Sequence, residues 1–204
     1  NLLNPGFLEE AKEEFLKSRQ QDIQCLPMAD RAYPELLREC PDAPLVLFQK
    51  GAVPFSGTRL LSIVGTRSMT DYGRRVCDLL IDVLSPYKPV IISGLAYGVD
   101  IYAQKTAIKK GLRTVSCLGH GLDAVYPGTH AKYVPEILEE GALLSEFWLG
   151  TTPEPMNFVR RNRIIAGISP ATVVIESGLK GGSLITADLA FGYNREVFAV
   201  PGRI

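Results

Sequence analysis

Residues 60–67 read Leu60-Leu61-Ser62-Ile63-Val64-Gly65-Thr66-Arg67: an apolar run of strand length, closed by a glycine, a hydroxyl and a cation. A short apolar run bounded by turn residues suits a strand covered on both faces. Five more runs share this form, at Val90–Ile92, Thr114–Leu118, Ala142–Leu144, Thr172–Ile175 and Glu196–Val200. Helical patterns separate them. Val76, Leu79, Leu80, Val83 and Leu84 recur at the spacing of an inward-facing stripe, and Gly111 and Gly141 fall where a C-cap glycine would end the next two helices. Strand centres recur every ~24–30 residues, the length of a βαβ unit. The pattern predicts an α/β fold: a doubly wound, mainly parallel sheet with right-handed crossovers.

Residues 1–44 differ in character. Phe7 to Gln20 is rich in Glu and Lys, with Phe7, Leu8, Ala11, Phe15 and Leu16 at helical spacing; Pro27, Pro34, Pro41 and Pro44 then interrupt the chain. A short helical N-terminal segment with a linker over 1–44 is expected, followed by the sheet domain over 45–204.

The chain holds 204 residues, 46% hydrophobic and 22% charged, which excludes a disordered polymer. Its 22 basic and 22 acidic side chains cancel, which argues against a uniformly basic coat; residues 1–44 carry 5 basic and 9 acidic groups, and the remainder carries 17 and 13. A polyanion would therefore bind through a local patch. No apolar run reaches the ~18 residues of a membrane span, and no secretory signal opens the chain, so no membrane role is expected. Cys25, Cys40, Cys77 and Cys117 form no CxxC pair and no metal-type spacing. Cys77 and Cys117 lie within apolar segments and are expected as buried free thiols, consistent with a reducing cytoplasm. No metal or cofactor is expected.

In a parallel sheet, ligands bind beyond the carboxyl ends of the strands. There the sequence places Gly65-Thr66-Arg67, then Ser93-Gly94, then Gly119-His120-Gly121, and finally Ser177-Gly178-Leu179-Lys180-Gly181-Gly182-Ser183. Glycine lets backbone N–H groups approach a ligand, hydroxyls add donors, and helix N-termini favour anions. Tight turns need glycine with or without a ligand, so no single loop decides. Three such loops at one edge, two with a cation (Arg67, Lys180), point to a phosphate-type site.

The dinucleotide fingerprint GxGxxG is missing after Gly65, and the P-loop pattern GxxxxGK[ST] is missing around Lys180. His120 and His130 are the only histidines and belong to no nucleophile motif. The most informative stretch is Phe158-Val159-Arg160-Arg161-Asn162-Arg163-Ile164-Ile165-Ala166-Gly167. Its arginines suit phosphodiester contact and Phe158 suits base stacking; an ion-pair set with Glu146 or Glu176 is the plain alternative.

These motifs together resemble the DprA/Smf family: Ile63-Val64-Gly65-Thr66-Arg67, Ser93-Gly94-Leu95-Ala96-Tyr97-Gly98-Val99-Asp100, Tyr126-Pro127, Arg161-Asn162-Arg163-Ile164-Ile165-Ala166-Gly167, Gly182-Ser183-Leu184-Ile185-Thr186-Ala187 and Pro201-Gly202. The resemblance covers about residues 40–204. It implies an extended Rossmann-like fold and a non-catalytic, dimeric DNA-processing protein. Such a protein binds and protects single-stranded DNA and helps load the RecA recombinase during natural transformation. Carried onto this chain, Arg67 would meet the DNA backbone, while Gly65, Thr66, Ser93, Gly94, Gly182 and Ser183 would form the phosphate pocket, with Lys180 beside it. Phe158, Arg161 and Arg163 would follow the strand. Gly128 and His130 depart from the family's common residues. Family members often continue into a winged-helix domain, expected beyond Ile204; a start at Asn1 rather than methionine likewise implies a longer native chain.

A second function remains open. Rossmann-like phosphoribohydrolases cleave a base from a nucleoside monophosphate, and here Glu146 or Asp123 would serve as acid or base. The phosphate loop Gly181-Gly182-Ser183-Leu184-Ile185-Thr186 lacks the glutamate such an enzyme would carry one turn on.

Overall fold

The computed structural model describes residues 5–202; Asn1 and Ile204 lie outside them. In chain order the elements are α1 (Pro5–Gln20), β1 (Ile23–Pro27), α2 (Glu35–Arg38), β2 (Val46–Gly51), β3 (Leu60–Val64), α3 (Asp71–Leu84), β4 (Val90–Ser93), α4 (Val99–Lys109), β5 (Thr114–Cys117), α5 (Val134–Glu140), β6 (Ala142–Ser145), α6 (Pro155–Ile168), β7 (Ala171–Val174), α7 (Gly182–Gly192) and β8 (Glu196–Ala199). Short 3-10 turns cover Ser85–Tyr87 and Gly128–Tyr133.

Among the described residues the strands form one eight-stranded sheet, in the order β1-β2-β6-β5-β4-β3-β7-β8. The six expected strands are β3 to β8, and the pairings among them are all parallel. The chain starts this parallel set at β3, winds outward through β4 and β5 to β6, and returns by α6 to place β7 on the other side of β3. The order reverses between β3 and β7, the point at which open α/β sheets form a crevice.

Alternate residues of each strand face opposite sides, and the core divides accordingly. Ile164, Ile165 and Ile168 of α6 pack on Leu60, Val64, Val90, Ile92, Val115 and Leu144. On the opposite face, Cys77 and Ile81 of α3 and Ala103 and Ala107 of α4 cover Ile63, Ile91 and Val173. Burial of each such aliphatic side chain contributes about 1.5–3 kcal/mol. Cys77 and Cys117 are fully buried free thiols, each pushed up to about 12 chiefly by burial, so neither forms the reactive thiolate at neutral pH.

Four local expectations change. The inward stripe of α3 runs through Gly73, Cys77 and Ile81, whereas Leu79 and Val83 are exposed. Helix α1 is present, but Phe7, Leu8, Phe15 and Leu16 face outward; Glu14 and Ser18 are its buried residues, and Glu14 Oε1 accepts a hydrogen bond from Leu149 N at 2.8 Å. Gly111 ends α4 with φ +70°, as a C-cap glycine should. Gly141 is extended, and a side chain there would sit 2.1 Å from Thr114 O, so close backbone approach explains it. Lastly, residues 1–44 are more than helix and linker: β1 pairs antiparallel with β2, from Ile23↔Lys50 to Pro27↔Val46, and β2 pairs antiparallel with β6. Among the described residues, no helix is long and apolar enough to cross a membrane.

Candidate nucleic-acid interface

Three loops meet at the crevice between β3 and β7. The loop after β3 is drawn close to its neighbours: Thr66 N donates to Glu176 O at 2.6 Å, and Val99 N donates to Thr66 O at 3.1 Å. Two glycines permit this approach. A Cβ on Gly65 would lie 2.4 Å from Val99 Cγ2, and one on Gly98, whose φ is +75°, would lie 2.2 Å from Thr66 O. Arg67 projects from this packed turn. It is exposed, and among the described residues it has no ion pair or hydrogen bond.

The loops enclose a cleft of about 480 Å³, with Gly65, Thr66, Arg67, Tyr126, Phe158, Arg161, Asn162, Gly181, Gly182, Ser183 and Thr186 in its walls. One wall is the N-terminus of α7, where Gly181 is the N-cap and offers no side-chain cap. Its first amides and partial positive charge face the cleft. Ser183 Oγ donates to Ser177 Oγ at 2.8 Å, which fixes the turn.

Arg161 forms the floor. It is buried; its Nη1 donates to Gly94 O at 2.8 Å and to Cys117 O, and its Nε donates to Asn162 Oδ1 at 3.2 Å. The guanidinium thereby ties the ends of β4 and β5 together. Burial lowers its pKa, opposed by the nearby Asp100 charge, yet an arginine remains cationic throughout the physiological range. Burial likewise raises Asp100, opposed by Arg161 and by N–H groups of Ala96 and Gly94. Asp100 also lines the cleft, and its carboxylate offsets part of the Arg161 charge without a direct ion pair among the described residues. At the mouth, Tyr126 stacks on Phe158 with ring centroids 5.3 Å apart and an interplanar angle of 30°.

Of the residues marked in the sequence, the cleft thus gathers Gly65, Thr66, Arg67, Phe158, Arg161, Gly182 and Ser183. The others lie elsewhere. Ser93 is buried behind the wall and donates to Ile63 O at 2.7 Å. Gly94 is also buried, and it makes room: a Cβ there would sit 2.5 Å from Arg161 Nη1 and 2.6 Å from Asp100 Oδ2. Lys180 is exposed on the lip, between cleft-lining Gly178 and Gly181 but outside the walls. Arg163 is withdrawn from the cleft because its guanidinium donates to Glu146 Oε2 and Asp42 O. Arg160 joins the same carboxylate at 2.9 Å. Tyr126 and Asn162 line the cleft without having been singled out as ligand contacts, and Gly181 and Thr186 carry a ligand role in the sequence only in the phosphate loop of the alternative reading; Asn162 stood in view between two marked arginines.

The family model for DNA recombination-mediator protein A matches residues 24–204. The chain belongs to that family. It is 40% identical to Protein Smf of Synechocystis over 206 residues, covering 98% of this chain and 50% of that protein. The X-ray structure of DNA processing protein A from Streptococcus pneumoniae superposes with a TM-score of 0.87 at 34% identity, covering 99% of this chain and 72% of that one. DNA processing protein A of Helicobacter pylori, whose structure was described for its single-stranded DNA binding mode, gives 0.80 at 31% identity, covering 89% of this chain and 82% of that one. The chain thus spans about half the length of the curated Synechocystis relative. As a member of the family it carries an α/β, Rossmann-like sheet.

Proposed function

We propose that this chain binds single-stranded DNA through the cleft between β3 and β7, makes and breaks no bond in it, and delivers it in the cytoplasm to a RecA-type recombinase. The observation that carries this reading is the pairing of an unpartnered Arg67 with the buried guanidinium of Arg161 across one cleft that also receives the N-terminus of α7. Full and partial positive charges converge there on a space open to a chain of phosphates. The Tyr126–Phe158 pair offers bases an aromatic surface, and backbone contacts carry no sequence information, so weak base preference is expected. The single-stranded DNA binding mode described for the Helicobacter pylori relative, and the mediator description of the family, support the same assignment.

The phosphoribohydrolase reading loses the two carboxylates assigned to it, and Asp100, which does line the cleft, is engaged by Gly94 N at 3.1 Å. Glu146 is held by Arg160 and Arg163 outside the cleft, and Asp123 accepts Gly150 N at 3.0 Å, also outside it. Incubation with nucleoside monophosphates should release no free base.

A homodimer belongs to the same proposal. Strand β8 ends the sheet, and Phe198 within it and Phe191 on α7 are 54% and 78% exposed, a surface that a second copy would cover. Phe191→Glu together with Phe198→Glu should shift sedimentation to the monomer; an unchanged dimer would place the interface elsewhere. The functional reading itself is tested by mobility shift. Single-stranded oligonucleotides should bind better than duplex, and equal retention of both would refute strand selectivity.

A further inference from the structure

Beyond Arg67 the surface continues into a second depression of about 400 Å³, between the N-terminal parts of α3 and α4 and the Gly128–Tyr133 turn; Arg67 lines both clefts. Arg74, Tyr97, Tyr102, Lys105 and Tyr133 form its other principal walls, and no carboxylate lines it. Its electrostatics are therefore set by three cations. Arg74 is matched at 2.6 Å by the exposed Asp71, whereas Lys105 has no ion pair among the described residues; its Nζ lies 4.7 Å from the Tyr133 ring centroid and donates to that hydroxyl at 3.4 Å.

Tyr97 is a braced aromatic. Its ring meets the His130 ring edge-on at 4.8 Å, its hydroxyl lies 3.0 Å from Thr129 Oγ1, and His130 Nδ1 is bonded to Leu95 O at 2.8 Å. The side chain nevertheless stays 47% exposed. A fixed, half-exposed ring beside unpaired cations is what a stacked base and its phosphates require, with little ordering left to do on binding. Farther on, Tyr102 and Lys105 border a third depression, but Asp78 and Asp82 line that one and Lys110 is paired with Asp82 at 2.5 Å, so the positive character fades there.

We infer that single-stranded DNA held in the first cleft runs across Arg67 into this second depression, where Tyr97 stacks a base and Lys105 and Arg74 meet the following phosphates. This inference rests on the first cleft being a single-stranded DNA site, and the test separates the two. Binding of fluorescent oligothymidylates of graded length is measured by anisotropy. Affinity should rise with length until both clefts are filled, then level off. Tyr97→Ala should weaken the longer strand about tenfold. Lys105→Ala should reduce the salt slope of the longer strand by about 0.7, with Lys105→Arg restoring it. Neither alanine variant should alter binding of the shortest strand that the unaltered protein holds, and unchanged melting temperatures would show both intact. Arg67→Ala should weaken every length. If Arg67→Ala weakens binding while Tyr97→Ala and Lys105→Ala change nothing, or weaken short and long strands equally, the second depression is not part of the path. If Arg67→Ala changes nothing at any length, the first cleft fails and the path fails with it.

Discussion

Arg161 Nη1 donates a 2.8 Å hydrogen bond to the carbonyl oxygen of Gly94, joining α6 to the end of β4 beneath the cleft. A Cβ at Gly94 would lie 2.5 Å from Arg161 Nη1 and 2.6 Å from Asp100 Oδ2, so any side chain there must displace these two groups. The bond makes Arg161 a structural cation as well as part of the binding surface. Arg67, exposed and unpaired, carries no such duty.

The two arginines should therefore separate in their effects. Arg161→Ala strands Gly94 O, Cys117 O and the charge of Asp100, and should cost about 3–5 kcal/mol of stability. Arg67→Ala should leave stability within about 0.5 kcal/mol, as for other surface changes. Urea denaturation of both variants checks this contrast; a stable Arg161→Ala protein would contradict the role of the buried network.

Glycine substitutions should sort by the space around each Cβ. Gly65→Ala meets Val99 Cγ2 at 2.4 Å and Glu176 O at 2.8 Å, whereas Gly182→Ala meets nothing within 4 Å. The first should destabilise by about 1–3 kcal/mol and the second should be tolerated by the fold. Thermal unfolding of the pair reads the difference directly.

His120 gives the protein a pH dependence of known sign. It is fully buried; its Nδ1 is 2.8 Å from Gly121 O, and Nε2 has no partner. Burial holds its pKa below the ordinary 6.5. As pH falls through 6.5 the unfolded chain takes up a proton that the folded chain resists, so stability should decline until the lower folded pKa is reached. His120→Asn should lower stability at neutral pH yet flatten this part of the curve. An identical pH profile in the variant would assign the decline to other groups.

The Tyr126–Phe158 pair should act through stacking alone. Phe158→Ala should weaken single-stranded DNA binding by about 1–3 kcal/mol per stacked base without altering its salt slope. A reduced slope would mean that the ring instead positions a cation.

The sequence made β3 to β7 legible because strands buried on both faces are short apolar runs rich in Val, Ile and Leu, whereas β8 is a largely exposed edge strand that only its place in the alternation with helices marked. It concealed β1 and β2 because only Ile23 and Leu26 of β1 are buried, and β2 carries Gln49 and Lys50 into the antiparallel ladder. The glycine and hydroxyl loops could be placed at one sheet edge from strand order alone. Separating Arg161 from Arg163 required the rotation of α6. The signal was present: residue 161 shares the inward stripe with Ile164, Ile165 and Ile168 at i+3, i+4 and i+7, all buried. Arg163 lies off that stripe and reaches Glu146 from the loop after β6, a tertiary meeting no periodicity displays.

The decisive measurement is the salt dependence of single-stranded DNA affinity for the unaltered protein and for Arg67→Ala. The log–log slope should be negative, and loss of Arg67 should reduce both the affinity and the magnitude of that slope, by about 0.7 for each phosphate contact removed. Equal affinities and equal slopes across the salt series would show that the cleft between β3 and β7 does not hold the strand.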